Sequence, residues 1–331
     1  ILRTGRHGED DVAHLVVVRI ADGDGNEGVG AAAPSEHYGE TAATVEAVLP
    51  ALLEVVEEVG DPHQLDRIER RMEETVARNP AARCAVSIAL HDLAAKRADL
   101  PLYRYWGLDP DESVPTSYTI GIDTTERMAE KTETAVERGY SVLKVKVGTD
   151  RDEEIISTVR EAAPEATIRV DANEAWSPRE AVRKIDALAE YDLEFVEQPV
   201  SADDPEGMGF VRERSALPIA ADESCITLAD IPQIAGKVDI ANLKLMKCGG
   251  LREAKRMIHA AQAHGLEVML GCMIETNAAI SAAAHLAPLL DYADLDGSLL
   301  LDEDPYEGVP MPDGDIDLAG LERAGTGART E

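Results

Sequence analysis

Val142-Leu143-Lys144-Val145-Lys146-Val147 sets two ammonium groups two residues apart inside an apolar run. Side chains alternate along a strand, so both lysines point to one face, and their apolar neighbours put that face inside the molecule. An edge strand that uses lysine to deter pairing is the competing account, but the flanking residues are too apolar for an exposed edge. The chain holds nine lysines against twenty-three arginines, and four of the nine stand here or in the similar run Asn242-Leu243-Lys244-Leu245-Met246-Lys247. A sequence that avoids lysine elsewhere has kept it in these two places.

Working outward from this strand, short β-branched runs alternate with amphipathic helical stretches. The runs are Ser117–Ile122, Val142–Val147, Thr167–Val170, Glu194–Val196, Pro218–Ala221, Asp239–Met246, Glu267–Leu270 and Tyr292–Leu295, with helical spacing over Glu126–Arg138, Glu153–Ala162, Pro178–Glu190 and Arg252–Ala263. Strand and helix repeating at roughly 25 residues imply right-handed βαβ units, and eight such units close a TIM (β/α) barrel. An open doubly wound sheet is the alternative. The first third differs: His14–Ile20 and Glu27–Ala33 read as a hairpin across Ala21–Asn26, followed by helices over 40–58, 62–78 and 81–97 with breaks at Asp61-Pro62 and Asn79-Pro80. The expected division is an α+β segment at 1–112, the barrel at 113–300, and a segment at 301–331, rich in Gly, Pro and Asp, that runs back over the first domain.

Net charge is −32, from 64 acidic against 32 basic side chains, which disfavours nucleic acid and anionic membrane as partners. No block of like charges dominates, so the acidity belongs to the whole surface and points to a halophilic, salt-adapted protein; at 1 M salt the Debye length shrinks to roughly 3 Å and self-repulsion is screened. Cys84, Cys225, Cys248 and Cys272 form no CxxC pair, so neither a zinc site nor a disulfide framework is indicated. No run approaches the length of a membrane span and Ile1–Arg6 is no signal peptide, so a cytoplasmic location is expected. With Ile rather than Met at position 1, upstream sequence is expected to be missing.

Barrel enzymes place their chemistry at the carboxyl ends of the strands. Those ends carry Lys144 and Lys146, Asp171, Glu197, Asp222, Lys244, and Asp294 with Asp296. Asp171, Glu197 and Asp222 come from three consecutive strands, one βα unit apart, so their oxygens converge near the barrel axis. Hard oxygen ligands without His or Cys suit Mg2+, with Mn2+ as substitute. Lys146 and Lys244 flank that point from opposite sides, so one amine can remove the α-proton of a bound carboxylate substrate while the other protonates the opposite face. Lys144 and the metal then meet the negative charge that develops. A lysine base needs a lowered pKa, which nearby cations provide; a salt bridge to a carboxylate is the alternative use of Lys244. Asn173 reads as a hydrogen-bond partner of the site, Trp176 as packing under an active-site loop, Gly249-Gly250 as a tight turn or an anion site, and His259, His264 and His285 as structural.

Leu143-Lys144-Val145-Lys146, Asp171-Ala172-Asn173, Val196-Glu197-Gln198-Pro199, Ala221-Asp222-Glu223-Ser224 and Leu243-Lys244-Leu245-Met246-Lys247-Cys248-Gly249-Gly250 together resemble the enolase superfamily, muconate lactonizing enzyme subgroup. The pairing of a Lys base with Mg2+ is a known property of that superfamily. The resemblance spans about Val12 to Gly308 and implies a modified barrel closed by an N-terminal α+β capping domain. Dipeptide epimerases of the L-Ala-D/L-Glu type are similar through Pro34-Ser35-Glu36-His37-Tyr38-Gly39-Glu40-Thr41, Gly271-Cys272-Met273-Ile274-Glu275 and Asp294-Leu295-Asp296. The resemblance implies a dipeptide substrate whose α-ammonium meets Asp294 and Asp296, with Thr119, Lys144 and Cys272 lining the site, in a homo-oligomer. An N-succinylamino acid racemase, an o-succinylbenzoate synthase or a cycloisomerase on the same scaffold is the rival enzyme, and a catalytically silent, metal-dependent peptide-binding protein the rival of another class. Members usually have one more strand before the segment matching Ile1–Asp11, and a loop there closes over the substrate. That region is short here and bears Arg3 and Arg6, which read as surface arginines ahead of partners for an acidic substrate side chain.

Overall fold

A computed structural model describes residues 12–330 in full and the backbone of 2–4 and 8–10, so the side chains of Arg3 and Arg6 lie outside the described residues. Strands β1 (Leu2–Thr4) and β2 (Gly8–Asp10) pair antiparallel, as do β3 (Val16–Ala21) and β4 (Glu27–Ala32). Three helices follow, α1 (Ala42–Val59), α2 (Leu65–Thr75) and α3 (Pro80–Arg97). Each boundary has a local cause. Thr41 and Thr44 form a reciprocal capping box at the start of α1, left-handed Gly60 ends it, and Pro80 occupies the first turn of α3, where its missing N–H costs nothing. Helix α3 is buried along nearly its whole length between β4 and the barrel, which its many alanines permit.

The rest is a ring of parallel strands, β5 (Tyr118–Ile120), β6 (Val142–Lys146), β7 (Thr167–Asp171), β8 (Leu193–Glu197), β9 (Ile219–Ala221), β10 (Ile240–Lys244), β11 (Glu267–Gly271) and β12 (Tyr292–Asp294). They lie in sequential order in one eight-stranded sheet. A bridge between Thr116 and Ala293, with the Ser117 N–H donating to the Ala293 carbonyl at 3.1 Å, joins the first strand to the last and closes the barrel. The open-sheet alternative is thereby excluded.

Gly325 and Thr326 lie against the α+β segment. Leu102 N–H donates to the Gly325 carbonyl at 2.7 Å, and Thr326 N–H donates to Asp92 Oδ1 at 2.7 Å. Asp92 is fully buried and its other oxygen accepts from Val29 N–H at 2.9 Å, so one carboxylate ties β4, α3 and the tail together. A short antiparallel pair, β13 (Tyr306–Glu307) with β14 (Arg329–Thr330), lies within the tail. Among the described residues no helix is long and apolar enough to cross a membrane.

Candidate active site

Asp171 ends β7, Glu197 ends β8 and Asp222 follows β9. One oxygen of each lies within 4.8 Å of the others, and none of the three residues is more than 1% exposed. Register produces the convergence: Lys146 pairs with Asp171, and a shift between Ile168 and Val170 on β7 brings Asp171 level with Glu197. Lys144 Nζ sits 2.8 Å from Glu197 Oε2, 2.8 Å from Asp294 Oδ2 and 3.1 Å from Asp171 Oδ2. Lys146 Nζ donates to Asp171 Oδ2 at 2.6 Å and to Asn173 Oδ1 at 3.1 Å. From the facing wall, four strands away, Lys244 Nζ donates to Asp222 Oδ2 at 2.8 Å. Gly271 makes room for it, since a Cβ there would stand 3.2 Å from Lys244 Cε. The salt bridge left open as an alternative for Lys244 is therefore present, in the same place from which it reaches the carboxylate cluster.

The charges do not balance. Six buried carboxylates (Asp171, Glu197, Asp222, Glu223, Asp294, Asp296) face four buried lysines (Lys144, Lys146, Lys244, Lys247), and Glu275 in the next loop adds to the excess. Burial works against ionisation of Asp171, yet Lys146 and Lys144 outweigh it and hold the carboxyl at about 2. Asp222 shares this fate: Lys244 and Lys247 overcome burial and keep it well below the ordinary carboxylate range. Glu197 goes the other way, pushed up to about 7 by burial and then by the charge of Asp171. Its Oε2, although close to Lys144, is not aligned with any hydrogen-bond donor. Three convergent oxygens, negative charge in excess and one oxygen lacking a donor fit a hard divalent cation such as Mg2+ or Mn2+. Burial also opposes the charge on Lys144 and Lys244, but Asp294 and Glu197 around the first and Asp222 beside the second raise both well above the usual lysine value. The expectation that nearby cations would lower a lysine base is not met at Lys244, because its nearest neighbour is a carboxylate; a divalent cation among those oxygens would take up that charge.

Asp294 and Asp296 stand beside the cluster, at the end of β12. Ser117 Oγ donates to Asp294 Oδ1 at 2.6 Å, and the Thr119 N–H donates to Asp296 Oδ2 at 2.6 Å. Burial and the adjacent Asp294 push Asp296 up to about 7. Cys272 lies against the turn after Asp296: a Cβ built on Gly297 would be 3.0 Å from its Sγ, and burial followed by the charge of Asp296 raises its thiol well above the ordinary value.

Three residues of this neighbourhood had no role in the sequence reading. A strand running to Met246 would put Lys247 on the outer face, opposite Lys244. The chain instead turns helical over Leu245–Cys248, and the three-residue step returns Lys247 underneath, where it donates to Asp222 Oδ1 at 2.5 Å, the Asp222 carbonyl at 2.6 Å and the Asn242 carbonyl at 3.1 Å. Glu223 accepts from Asn173 Nδ2 at 3.1 Å and is pushed up to about 8 by burial and then by Asp222. Tyr38, in the turn after β4, approaches from above, its phenol raised by burial and by the charge of Asp222. The Ala33 N–H, five residues before Tyr38, donates to Met246 Sδ at 3.3 Å and brings the first segment over the end of β10. Gly249 and Gly250 both adopt positive φ, 96° and 131°, and a Cβ on Gly250 would stand 2.4 Å from Ser87 Oγ of α3, so a tight turn and a close approach account for the pair. Trp176 Nε1–H donates to Asp152 Oδ2 at 3.2 Å, and Asp152 Oδ1 in turn accepts from Gly148 N–H and Thr149 N–H in the loop after β6, so the indole is tied to that loop. His285 is buried and its Nδ1 accepts from Tyr103 N–H at 3.1 Å, a structural contact.

Residues 127–330 match the family described as "Enolase C-terminal domain-like", and residues 6–107 match "Mandelate racemase / muconate lactonizing enzyme, N-terminal domain". This chain belongs to the mandelate racemase/muconate lactonizing enzyme family of the enolase superfamily. Among relatives in that family, the L-Ala-D/L-Glu epimerase of Bacteroides thetaiotaomicron is 40% identical over 300 residues, covering 90% of this chain and 77% of the relative. The crystal structure of a dipeptide epimerase from Enterococcus faecalis V583 complexed with Mg and the dipeptide L-Leu-L-Tyr superimposes with a TM-score of 0.90 at 37% identity, covering 100% of this chain and 95% of that one. An N-succinyl Arg/Lys racemase from Bacillus cereus gives a TM-score of 0.92 at 28% identity, covering 100% and 91%. Backbone shape is thus common to both activities in the family, while sequence identity is higher to the epimerases.

Proposed function

We propose that this protein is a Mg2+-dependent dipeptide epimerase that inverts the α-carbon of the C-terminal residue by a two-base 1,1-proton transfer. The observation that carries this is the placement of Lys146 and Lys244 on opposite walls of one buried carboxylate cluster, with Asp294 and Asp296 beside it. Asp171, Glu197 and Asp222 would hold the cation, which when bound supplies positive charge against the substrate carboxylate and makes the α-proton easier to remove. One lysine, as the free amine, takes that proton; the other, as ammonium, returns one to the opposite face. Between the two steps the substrate is an enediolate, and the Lys144 ammonium adds fixed positive charge where its negative charge grows. Asp294 and Asp296 bind the α-ammonium of the dipeptide. Two buried carboxylates side by side repel, as the raised Asp296 records, and a substrate cation relieves that repulsion. Thr119 positions Asp296 through its N–H, Cys272 fills the wall next to it, and Tyr38 shields the site from water.

A second reading, an N-succinylamino acid racemase, is favoured by the equally close superposition on the Bacillus cereus structure. Its substrates lack the ammonium group, so Asp294→Ala would matter little to it. For its setting we propose the cytoplasm of a salt-adapted cell, supported by 64 acidic against 32 basic residues spread over the surface. The deciding experiment is deuterium uptake from heavy water into a dipeptide library with Mg2+ and molar KCl, read by mass spectrometry. A one-unit mass gain confined to some dipeptides is the expected result and reveals which ones. Exchange in N-succinyl amino acids alone would replace this function with the second reading, and exchange in neither would point to a silent peptide-binding protein.

A further inference from the structure

Glu223 follows Asp222 directly, yet its carboxylate turns to Asn173. Oε1 accepts from Asn173 Nδ2 at 3.1 Å, the residue is 6% exposed, and Oε2 has no hydrogen-bond partner. Asn173 passes the contact on: its Oδ1 accepts from Lys146 Nζ at 3.1 Å, and its backbone N–H donates to Asp171 Oδ1 at 2.9 Å. The backbone at Asn173 is left-handed, with φ of 41°, a conformation that asparagine tolerates better than most residues. A primary amide has one donating end and one accepting end. A carboxylate fixed on Nδ2 therefore fixes Oδ1 toward Lys146, whereas the flipped amide would aim N–H groups at an ammonium. Lys146 also donates straight to Asp171 Oδ2 at 2.6 Å, as Lys244 on the facing wall does to Asp222 Oδ2 at 2.8 Å; among the described residues it is Lys146 that has the amide contact in addition.

We propose that Glu223 is a positioning residue for one of the two bases only, holding Lys146 through the Asn173 amide. The inference rests on the two-base function proposed above and adds an asymmetry to it: both bases donate to a carboxylate of the cluster, and one of them is steered by an amide as well. Loss of Glu223 leaves Asn173 free to flip and Lys146 held by Asp171 alone, free to swing about that one contact, while Lys244 keeps its own place. In a two-base enzyme each epimer presents its α-proton to a different lysine. With Lys146 displaced, the epimer facing Lys244 still gives up its proton and takes a deuteron back on the same face, but the other epimer does not.

The test compares α-proton exchange in heavy water for the L,L and L,D forms of a dipeptide that the wild-type protein epimerises, using the Mg2+-loaded variants Glu223→Ala and Asn173→Ala. Exchange of one epimer should fall about 10- to 100-fold, by analogy with the hydrogen-bond partners that orient the ligands of a metal ion, with the other changed much less. The double variant should be no worse than either single one, because both act on one chain of contacts. Glu223→Gln keeps an oxygen to accept from Nδ2 and should recover most of the lost exchange. Equal loss for both epimers, or effects that multiply in the double variant, would overturn the proposal, since damage to Asp222 or to the fold strikes both faces alike. A crystal structure of Glu223→Ala decides the matter without a substrate: Lys146 Nζ should lie beyond hydrogen-bond reach of Asn173 Oδ1, and an unmoved Lys146 would refute it. A wild-type protein that exchanges no dipeptide would overturn the epimerase function, and that crystal structure would still decide the role of Glu223.

Discussion

Arg169 and Asp171 are two residues apart on β7, as Phe195 and Glu197 are on β8 and Tyr292 and Asp294 on β12, so each strand sends one side chain to the floor of the barrel and another to its mouth. The two layers solve the burial of charge differently. On the floor, Arg169 Nε donates to Glu194 Oε2 at 2.6 Å, its Nη1 donates to the Ala293 carbonyl at 3.0 Å, and its guanidinium lies over the rings of Phe195 and Tyr292 at 5.3 and 5.0 Å. One cation meets one carboxylate, a carbonyl and two aromatic faces. At the mouth, carboxylates outnumber lysines, Glu197 is pushed up to about 7, and its Oε2 lacks a donor. A layer that satisfies its charges contributes stability; a layer that leaves them unsatisfied is built to receive something, at a cost to the fold.

The largest expected effect lies at the mouth. Glu197→Gln should lower epimerisation by at least about 1,000-fold, since it removes one of three carboxylates from the cation site. The metal-free variant should nevertheless melt no lower than its parent, because the substitution relieves the repulsion that raises Glu197; turnover assays and calorimetry without Mg2+ check both halves. Arg169→Met on the floor should do the opposite, costing about 3 kcal/mol in urea unfolding while leaving turnover per folded molecule within about twofold. If Arg169→Met instead abolishes turnover with no loss of stability, the two layers are not separable and the contrast fails.

Much of this was readable before any coordinates. The three carboxylates and the lysine pairs declare themselves because a strand's two-residue period and a barrel's unit length convert spacing directly into geometry. What escaped depends on contacts that spacing does not encode. Lys247 was hidden because the chain changes from strand to helix at Leu245, which turns an outward residue inward. Glu223 sits beside a metal-type ligand, and nothing in the sequence tells which way its carboxylate turns; only Asn173, brought to within 3.1 Å of it by the left-handed step after β7, settles that. The short helices Pro205–Arg212 and Asn277–Ala284 are only weakly marked in the sequence, the first for its glycines and the second because nearly all its residues are buried and no polar face marks the period. Tyr38 lay inside a quoted stretch, but its approach to Asp222 depends on how the first segment docks on the barrel.

Mg2+ sharpens the contrast at intermediate size. At 100 to 1,000 times its dissociation constant the ion should stabilise the protein by about 3–4 kcal/mol, through binding to the folded state alone. The increment should vanish in Asp222→Asn and survive in Arg169→Met, which thermal unfolding with and without the ion would check.

The smallest effect belongs to the seam between α2, α3 and the barrel, where a carboxylate is buried with neither the floor's guanidinium nor the mouth's lysines. Glu69 accepts from Ser87 Oγ at 3.0 Å, and His91 Nδ1, which faces the Ser87 carbonyl at 2.9 Å, is 3.5 Å away. Burial pushes the Glu69 carboxyl up to about 8, against partial relief from Ser87 and Arg252, and pushes His91 down to about 4. Between about 4.5 and 8 the folded protein therefore keeps a proton on Glu69 that the unfolded chain has released, so this group's contribution to stability falls as pH rises through that window. His91 acts with the opposite sign and lower down: the unfolded chain takes up its proton below about 6.5 and the folded one only near 4, so stability falls as pH drops across that interval. Glu69→Gln removes the first dependence and leaves the second. Its advantage over the parent in urea unfolding should grow from near zero at pH 5 to about 1–3 kcal/mol at pH 8. A gap that stays flat across those pH values would mean that Arg252 already holds Glu69 ionised, and the seam would then resemble the floor, where a guanidinium satisfies the buried acid, more than the mouth.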